Sequence, residues 1–409
     1  MAASPQSAVD GAPNRSLAPR TRLESVDTLR GFVMVLMALD HIRDFVTNIK
    51  YAPLDLAQTF PALVATRLIT HFCAPVFVFL AGSGAFLMKA RGKSARDTAM
   101  FLITRGLWLF FLEIVVVRFG WFYNWDFSLT LGAVIWAIGC SMVVLAPLSF
   151  LPSRAVGVVG VCIVCLHNLL DGIQPEALGS LAWAWKILHQ PSPIHMGSGY
   201  DFFVGYPLLP WIGIMATGYG AGEVFLLEAS RRRRLLRVIG IAMIAAFICL
   251  RWTNLYGDAA PWSTQKNGLF TLFSFLNTTK YPPSLLYALM TLGPALIFLS
   301  FLTDSAGKLA KPFVVFGRVP LFYYVLHLIL YHGMAVVLAL VKYGRADWLF
   351  RSPGMLFPNA PGNTIPPDYG YGLPAVYLCW IIGILLLYPV CKWFSEVKRR
   401  RNDVWLSYL

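Results

Sequence analysis

From about residue 30 onward the chain alternates long apolar stretches with short clusters of charged, Pro, Gly and aromatic residues. A helix rising about 1.5 Å per residue needs roughly 20 apolar residues to cross a hydrocarbon layer about 30 Å thick. Stretches near that length lie at 30–47, 68–88, 100–120, 128–151, 155–171, 202–228, 235–253, 282–302, 313–341 and 372–394. The pattern predicts an all-α polytopic membrane bundle of about ten transmembrane helices over 23–395. Residues 1–22, rich in Ala, Ser, Pro and Arg without apolar periodicity, are predicted to be a disordered tail, and 396–409 a basic one. The long connections at 172–201, 254–281 and 342–371 have room for re-entrant or surface helices.

Charge supplies an orientation. Lys89 to Arg96, Arg154, Arg231 to Arg237, Lys308 with Lys311, and Lys398 to Arg401 fall on alternate connections. An excess of Lys and Arg marks the cytoplasmic side, so both termini are expected in the cytoplasm. Composition agrees: 57% of residues are hydrophobic and 13% charged, unlike a water-soluble domain. The net charge of +14 resides in those clusters and forms no single basic face, so no nucleic-acid partner is expected. The seven cysteines lie in or beside apolar stretches and read as small core residues.

Ionisable side chains at membrane depth cost about 3 kcal/mol each and therefore direct attention to function. The first span holds Asp27 and Arg30 near one end and Asp40, His41, Arg43 and Asp44 near the other. Arg30 and His41 are eleven residues apart, which places them on nearly one helix face about 16 Å apart along its axis. His71 enters the second span at a comparable depth. Glu113 and Arg118, His167 and Asp171, Arg251 and Asn254, and His327 and His332 are expected at the same level, around one outer-facing polar cavity. At the opposite level, Arg30-Gly31, Arg105-Gly106 and Gly317-Arg318 combine guanidiniums with close backbone approach, a pattern suited to a phosphate cradle. The competing reading is that these residues anchor helix ends at the interface. No metal site is expected, because no pair of candidate ligands is seen to join i, i+4 or CxxC spacing with convincing partners.

The text SVDTLRGFVMVLMALDHIRDF at 25–45, THFCAPVFVFLAGSGAFL at 70–87 and, more loosely, FGRVPLFYYVLHLILYH at 316–332 resembles bacterial membrane proteins related to heparan-alpha-glucosaminide N-acetyltransferase, within the transmembrane acyltransferase group. The Arg30 to His41 spacing is also similar to the Arg-x10-His signature of bacterial membrane O-acyltransferases, and Asp27, Arg30 and Gly31 match the opening motif of the acetyltransferase relatives. The resemblance implies a multi-pass protein of a bacterial inner membrane, in contact with membrane lipid. It would take acetyl-CoA or another acyl-CoA from the cytoplasm and transfer the acyl group to a sugar amine or hydroxyl of an extracytoplasmic acceptor such as a glycan. His41, oriented by Asp40 or another carboxylate, would then be the base or a transient acyl carrier. His71 would polarise the carbonyl or position the acceptor, and Arg30, Arg105 and Arg318 would hold the CoA phosphates. Asp27, Glu113, Arg118, Arg251 and His327 are the remaining candidates for substrate contact. The sequence leaves a homo-oligomer open. The alternative is a proton-coupled transporter or flippase with an outer polar cavity, with Gly205, Pro207, Pro210, Gly213, Pro282 and Pro283 breaking or hinging its spans. Consumption of acyl-CoA separates the two.

Overall fold

The computed structural model describes residues 23–197, 199–304, 307–352, 364–401 and 403–408. The expected tail at 1–22 lies outside the described residues. Helix α1 (Glu24–Val46) is followed by α2 (Pro61–Thr70) and α3 (Cys73–Ala90), which run on from one another through His71 and Phe72. The next helix, α4 (Ala95–Leu112), starts on a capping box in which Ser94 and Asp97 satisfy each other's backbone N–H. It continues through a π-helical turn at Glu113–Val117 into α5 (Arg118–Phe122). Strand β1 (Leu129–Gly132) precedes α6 (Val134–Leu148) and α7 (Ser153–Leu166). A short α8 (Ala182–Leu188) leads to β2 (Ser192–His195), β3 (Asp201–Val204) and α9 (Leu208–Ala221). The chain closes with α10 (Ala229–Thr253), α11 (Gly268–Leu276), α12 (Leu285–Phe301), α13 (Lys311–Arg318), α14 (Pro320–Tyr343) and α15 (Leu373–Arg400).

Each of the ten expected stretches contains helix. Among the described residues six helical segments, 61–90, 95–122, 153–170, 229–253, 320–343 and 373–400, are long and apolar enough to cross a membrane. α6 and α12 are apolar but shorter, and α1 carries Glu24, Asp27, Arg30, Asp40, Arg43 and Asp44. The all-α expectation needs one correction. Residues 129–132 and 201–204, placed inside spans four and six, are strands. β1 pairs in parallel with β3, and β2 pairs antiparallel with β3. Short apolar runs do not reveal their period, and Pro207 disfavours helix at Tyr206 just before it. α9 therefore begins only after Pro207.

Burial is inverted relative to a water-soluble protein. Val158, Val161, Val238, Ile241, Leu378, Ile381, Leu385 and Leu386 on α7, α10 and α15 are exposed, whereas Asp27, Asp40, Arg43 and His71 are buried. Helix α1, with charged residues toward both its ends, is packed on α2, α3, α12, α13, α14 and α15. Its tightest contact is with α13: a Cβ on Gly31 would sit 1.7 Å from the Phe313 carbonyl oxygen, and one on Gly317 would sit 1.9 Å from that of Asp27. No L side chain fits there, so the two backbones touch.

Candidate active site

Two cavities meet inside the bundle. One, of about 250 Å³, is lined mainly by Met34, Leu80, Ala85, Leu102, Leu109, Ile138 and Met142, with Arg30 and Arg105 also on its wall. The other, of about 590 Å³, is polar and includes Asp40, His41, Arg43, Asp44, Arg67, Trp121, Tyr206, Lys280 and Tyr281. Met37, Phe77, Val134 and Tyr324 line both, so these four side chains form the neck between them. Residues of the small sheet, Leu131, Gly132 and Phe203, close one side of the polar cavity.

His41 is held by another histidine. Its Nδ1 lies 2.6 Å from Nε2 of His327, and the rings stack at 4.9 Å between centroids. His327 Nδ1 is 3.1 Å from the Tyr323 carbonyl, which can only accept, so that nitrogen carries the proton. In the neutral pair His327 Nε2 therefore accepts from His41 Nδ1–H, and the lone pair of His41 falls on Nε2. Among the described residues no side chain or backbone group hydrogen-bonds that nitrogen. Trp121 packs edge-on against the ring at 5.2 Å. The arrangement fixes one tautomer and presents a nucleophilic or basic nitrogen on a side chain of the polar cavity.

Asp40, expected to orient His41, instead holds cations. One oxygen pairs with Arg43 at 2.7 Å and accepts from Thr70 Oγ1 at 3.1 Å, while the other takes Arg67 at 2.5 Å. Lys280 makes no ion pair among the described residues; its ammonium faces the rings of Tyr281 and Tyr206 at 5.1 and 6.0 Å. Burial raises the Tyr281 phenol, but the charges of Lys280 and Arg67 outweigh it and leave the group below its ordinary value. The polar cavity thus offers cationic and hydroxyl donors around a neutral imidazole.

A family profile described as heparan-alpha-glucosaminide N-acetyltransferase, catalytic, matches residues 22–256, more than half of the 409-residue chain. The chain belongs to this family. No curated protein gives a significant match. Membership in the heparan-alpha-glucosaminide N-acetyltransferase family makes this an acetyltransferase-like membrane protein. The matched stretch contains Arg30, Asp40, His41, His71 and Arg105. His327 and Arg318 lie beyond it, so half of the histidine pair comes from outside the family-defining region.

The other candidates in this N-acetyltransferase family member divide by environment. Arg30 is braced by Asp27 and the Gly317 carbonyl, each at 3.2 Å, which gives the buried Asp27 a positioning task. Arg318 pairs with Glu24 at 2.8 Å and is not part of the cavity wall that Arg30 and Arg105 share. His71 is buried behind the polar cavity, its ring 5.4 Å from that of Tyr287, and its backbone carbonyl accepts from the Tyr287 hydroxyl. Glu113 accepts from Trp136 N–H at 2.8 Å, at the first turn of α6, where a carboxylate suits the helix dipole. Arg118 donates to the Leu129 and Asn124 carbonyls, and Arg251 to those of Phe275, Ala260, Ser274 and Asn277. Both tie loops to helices.

Sequence reasoning passed over Arg67 because span two was started at residue 68, and Lys280 because it sits in a loop. Lys280 did leave a signal, as an isolated cation on the side otherwise poor in Lys and Arg. Against the expectation that no ligand pair joins i, i+4 spacing to convincing partners, His167 and Asp171, four residues apart, do converge with a third group, His189.

Proposed function

We propose that the protein is an acyltransferase that takes an acetyl group from acetyl-CoA and passes it to a sugar amine or hydroxyl on the other side of the membrane. The observation that carries this reading is the meeting of the two cavities, with arginines on the wall of one and His41, backed by the buried His327, lining the other. Arg30 and Arg105 would engage the CoA phosphates in the cytoplasm-facing mouth by charge-assisted hydrogen bonds. The apolar wall between them and the neck suits a pantetheine arm and excludes water. The axial separation of Arg30 and His41, about 16 Å, is comparable with the reach of that arm. Ten spans with both termini cytoplasmic would set this mouth inside and the polar cavity outside.

In the transfer, His41 Nε2 takes the proton of the attacking amine or hydroxyl as its nitrogen or oxygen bonds to the thioester carbonyl carbon. The C–S bond breaks, the electron pair leaves on sulfur, and the imidazolium returns the proton to give free CoA thiol. In a two-step variant His41 Nε2 attacks the carbonyl carbon, the C–S bond breaks to release CoA thiolate, and the Nδ1 proton passes to His327 Nε2; the acceptor then attacks the acyl-imidazole carbon, the C–N bond breaks, and the acceptor's proton goes to the freed His41 nitrogen. Lys280, Arg67 and Tyr281 would contact the acceptor. The decisive experiment is acetyl-CoA binding and turnover by detergent-solubilised protein. Arg30→Ala should weaken binding, and His41→Ala should keep binding and lose transfer. Folded protein that binds no acyl-CoA would refute the proposal. Two joined cavities also suit a proton-coupled transporter or flippase, which would move solute without consuming the thioester.

A further inference from the structure

His167, Asp171 and His189 stand apart from both cavities. His167 follows the last residue of α7, Asp171 closes the turn after it, and His189 follows the last residue of α8. One ligand atom from each lies within 4.8 Å of the others. The two rings are 5.5 Å apart and inclined at 68°, so they converge without stacking. Both histidines are more than nine-tenths buried, at 2% and 4% exposure. Neither nitrogen of His167, nor Nδ1 of His189, meets a hydrogen-bond partner of normal geometry. The Pro283 carbonyl lies near the His167 ring, but a buried nitrogen short of a well-formed hydrogen bond forfeits about 1–3 kcal/mol, and such a group calls for a ligand or ion. Asp171 is the accessible member, its side chain 25% exposed. Its Oδ1 lies 2.9 Å from His189 Nε2, and Asn168 Nδ2 donates to its Oδ2 at 2.9 Å. The same Asn168 is fixed by accepting from Leu285 N–H.

We propose that His167, Asp171 and His189 bind one divalent transition-metal ion, with zinc the best match. Two imidazoles and a carboxylate, with water in a fourth position, form a familiar zinc donor set. Asn168 is the outer hydrogen-bonding partner that such sites use to aim a carboxylate. The contrast with His195 is instructive: it also pairs with an aspartate, Asp201 at 2.6 Å, but is exposed and has no third ligand. Two ring nitrogens facing a carboxylate in a buried corner are therefore a property of this cluster and not of every His–Asp pair here. The ion would clip α8 to the end of α7. From α8 the chain passes directly through Pro191 into β2, and Pro191 and Phe203 both line the polar cavity. The clip would brace one wall of that cavity without reaching the reacting atoms. The proposal does not depend on the acyltransferase reading.

The test uses the full-length, tag-free protein in detergent, loaded with zinc, dialysed against metal-free buffer and assayed by elemental analysis. Wild type and His195→Ala should each retain one zinc per chain, and His167→Ala and His189→Ala none. Asn168→Ala should bind about 10- to 100-fold more weakly. Cobalt added to the metal-free wild type should give the visible absorption of a tetrahedral site, bleached by zinc, so the test stands even where a variant fails to fold. A chelator should lower the melting temperature of wild type and leave that of His189→Ala unchanged. Folded wild type that takes up neither metal overturns the proposal, as does equal zinc retention in His189→Ala.

Discussion

Replacing His327 by Leu removes the acceptor that holds His41 Nδ1–H. The ring of His41 then loses a hydrogen bond worth about 0.5–1.5 kcal/mol and carries an unsatisfied donor into a largely buried position, at about 1–3 kcal/mol. Both penalties apply only to the tautomer and rotamer that leave the lone pair on Nε2, so together they deplete the reactive arrangement by about 1.5–4.5 kcal/mol. At tenfold per 1.36 kcal/mol, kcat should fall about 10- to 2000-fold. Arg30 and Arg105 are untouched, so KM for acetyl-CoA should hold. The assay is acetyl transfer from labelled acetyl-CoA to an oligosaccharide ending in glucosamine. His327→Gln is the rescue, because its amide oxygen falls near the position of Nε2 and accepts the same bond. A Leu variant with full kcat, or a Gln variant no better than Leu, would show that His327 does not position His41.

Four further outcomes follow from the packing. Gly31→Ala forces α1 and α13 apart, because the new Cβ would meet the Phe313 carbonyl oxygen at 1.7 Å; a loss of at least about 1–3 kcal/mol should appear in thermal denaturation, whereas Gly84→Ala, with nothing within 4 Å, should be neutral or stabilising. Arg251→Lys cannot serve four carbonyls with three donors and should lose about 3 kcal/mol or more, read as a lower melting temperature. Asp40→Asn leaves Arg67 and Arg43 short of a buried counter-charge and should cost about 3–5 kcal/mol, whereas a role confined to orienting His41 would change the rate and spare the melting temperature. In the loop after α5, the Ser128 N–H holds the Asp126 carboxyl below its ordinary value. Its stabilising contribution is therefore present above about pH 4 and lost as pH falls through the folded value; Asp126→Asn should flatten the wild-type melting curve against pH in that window and nowhere above it.

Six of the ten expected spans coincide with helices long and apolar enough to cross a membrane; they were legible because lipid imposes a length and an apolar composition that a sequence displays directly. The polar residues of α1 were legible for the opposite reason, since Asp27, Arg30, Asp40 and His41 violate that composition. What escaped was pairing. His327 was placed at the right depth as a substrate contact, yet nothing in a linear text tells that its Nε2 meets His41 across 286 residues. Arg118 and Arg251 resembled site residues because an intramembrane arginine looks alike whether it faces a substrate or loop carbonyls. The strands at 129–132 and 201–204 were hidden because each is only four residues long and adjoins an apolar run, too short a stretch to show its own period.

The contact of α1 with α13 also bears on how the protein is made. The charged residues of α1 are costly in lipid alone, and the closest backbone partner of this helix is synthesised almost 300 residues later. Until then Asp27, Arg30 and Asp40 have only early neighbours, and the seat for Gly317 on α1 is vacant. A chain truncated before α13 would hold an unfinished polar helix in the bilayer, so the packing around α1 closes only once α13 has been made.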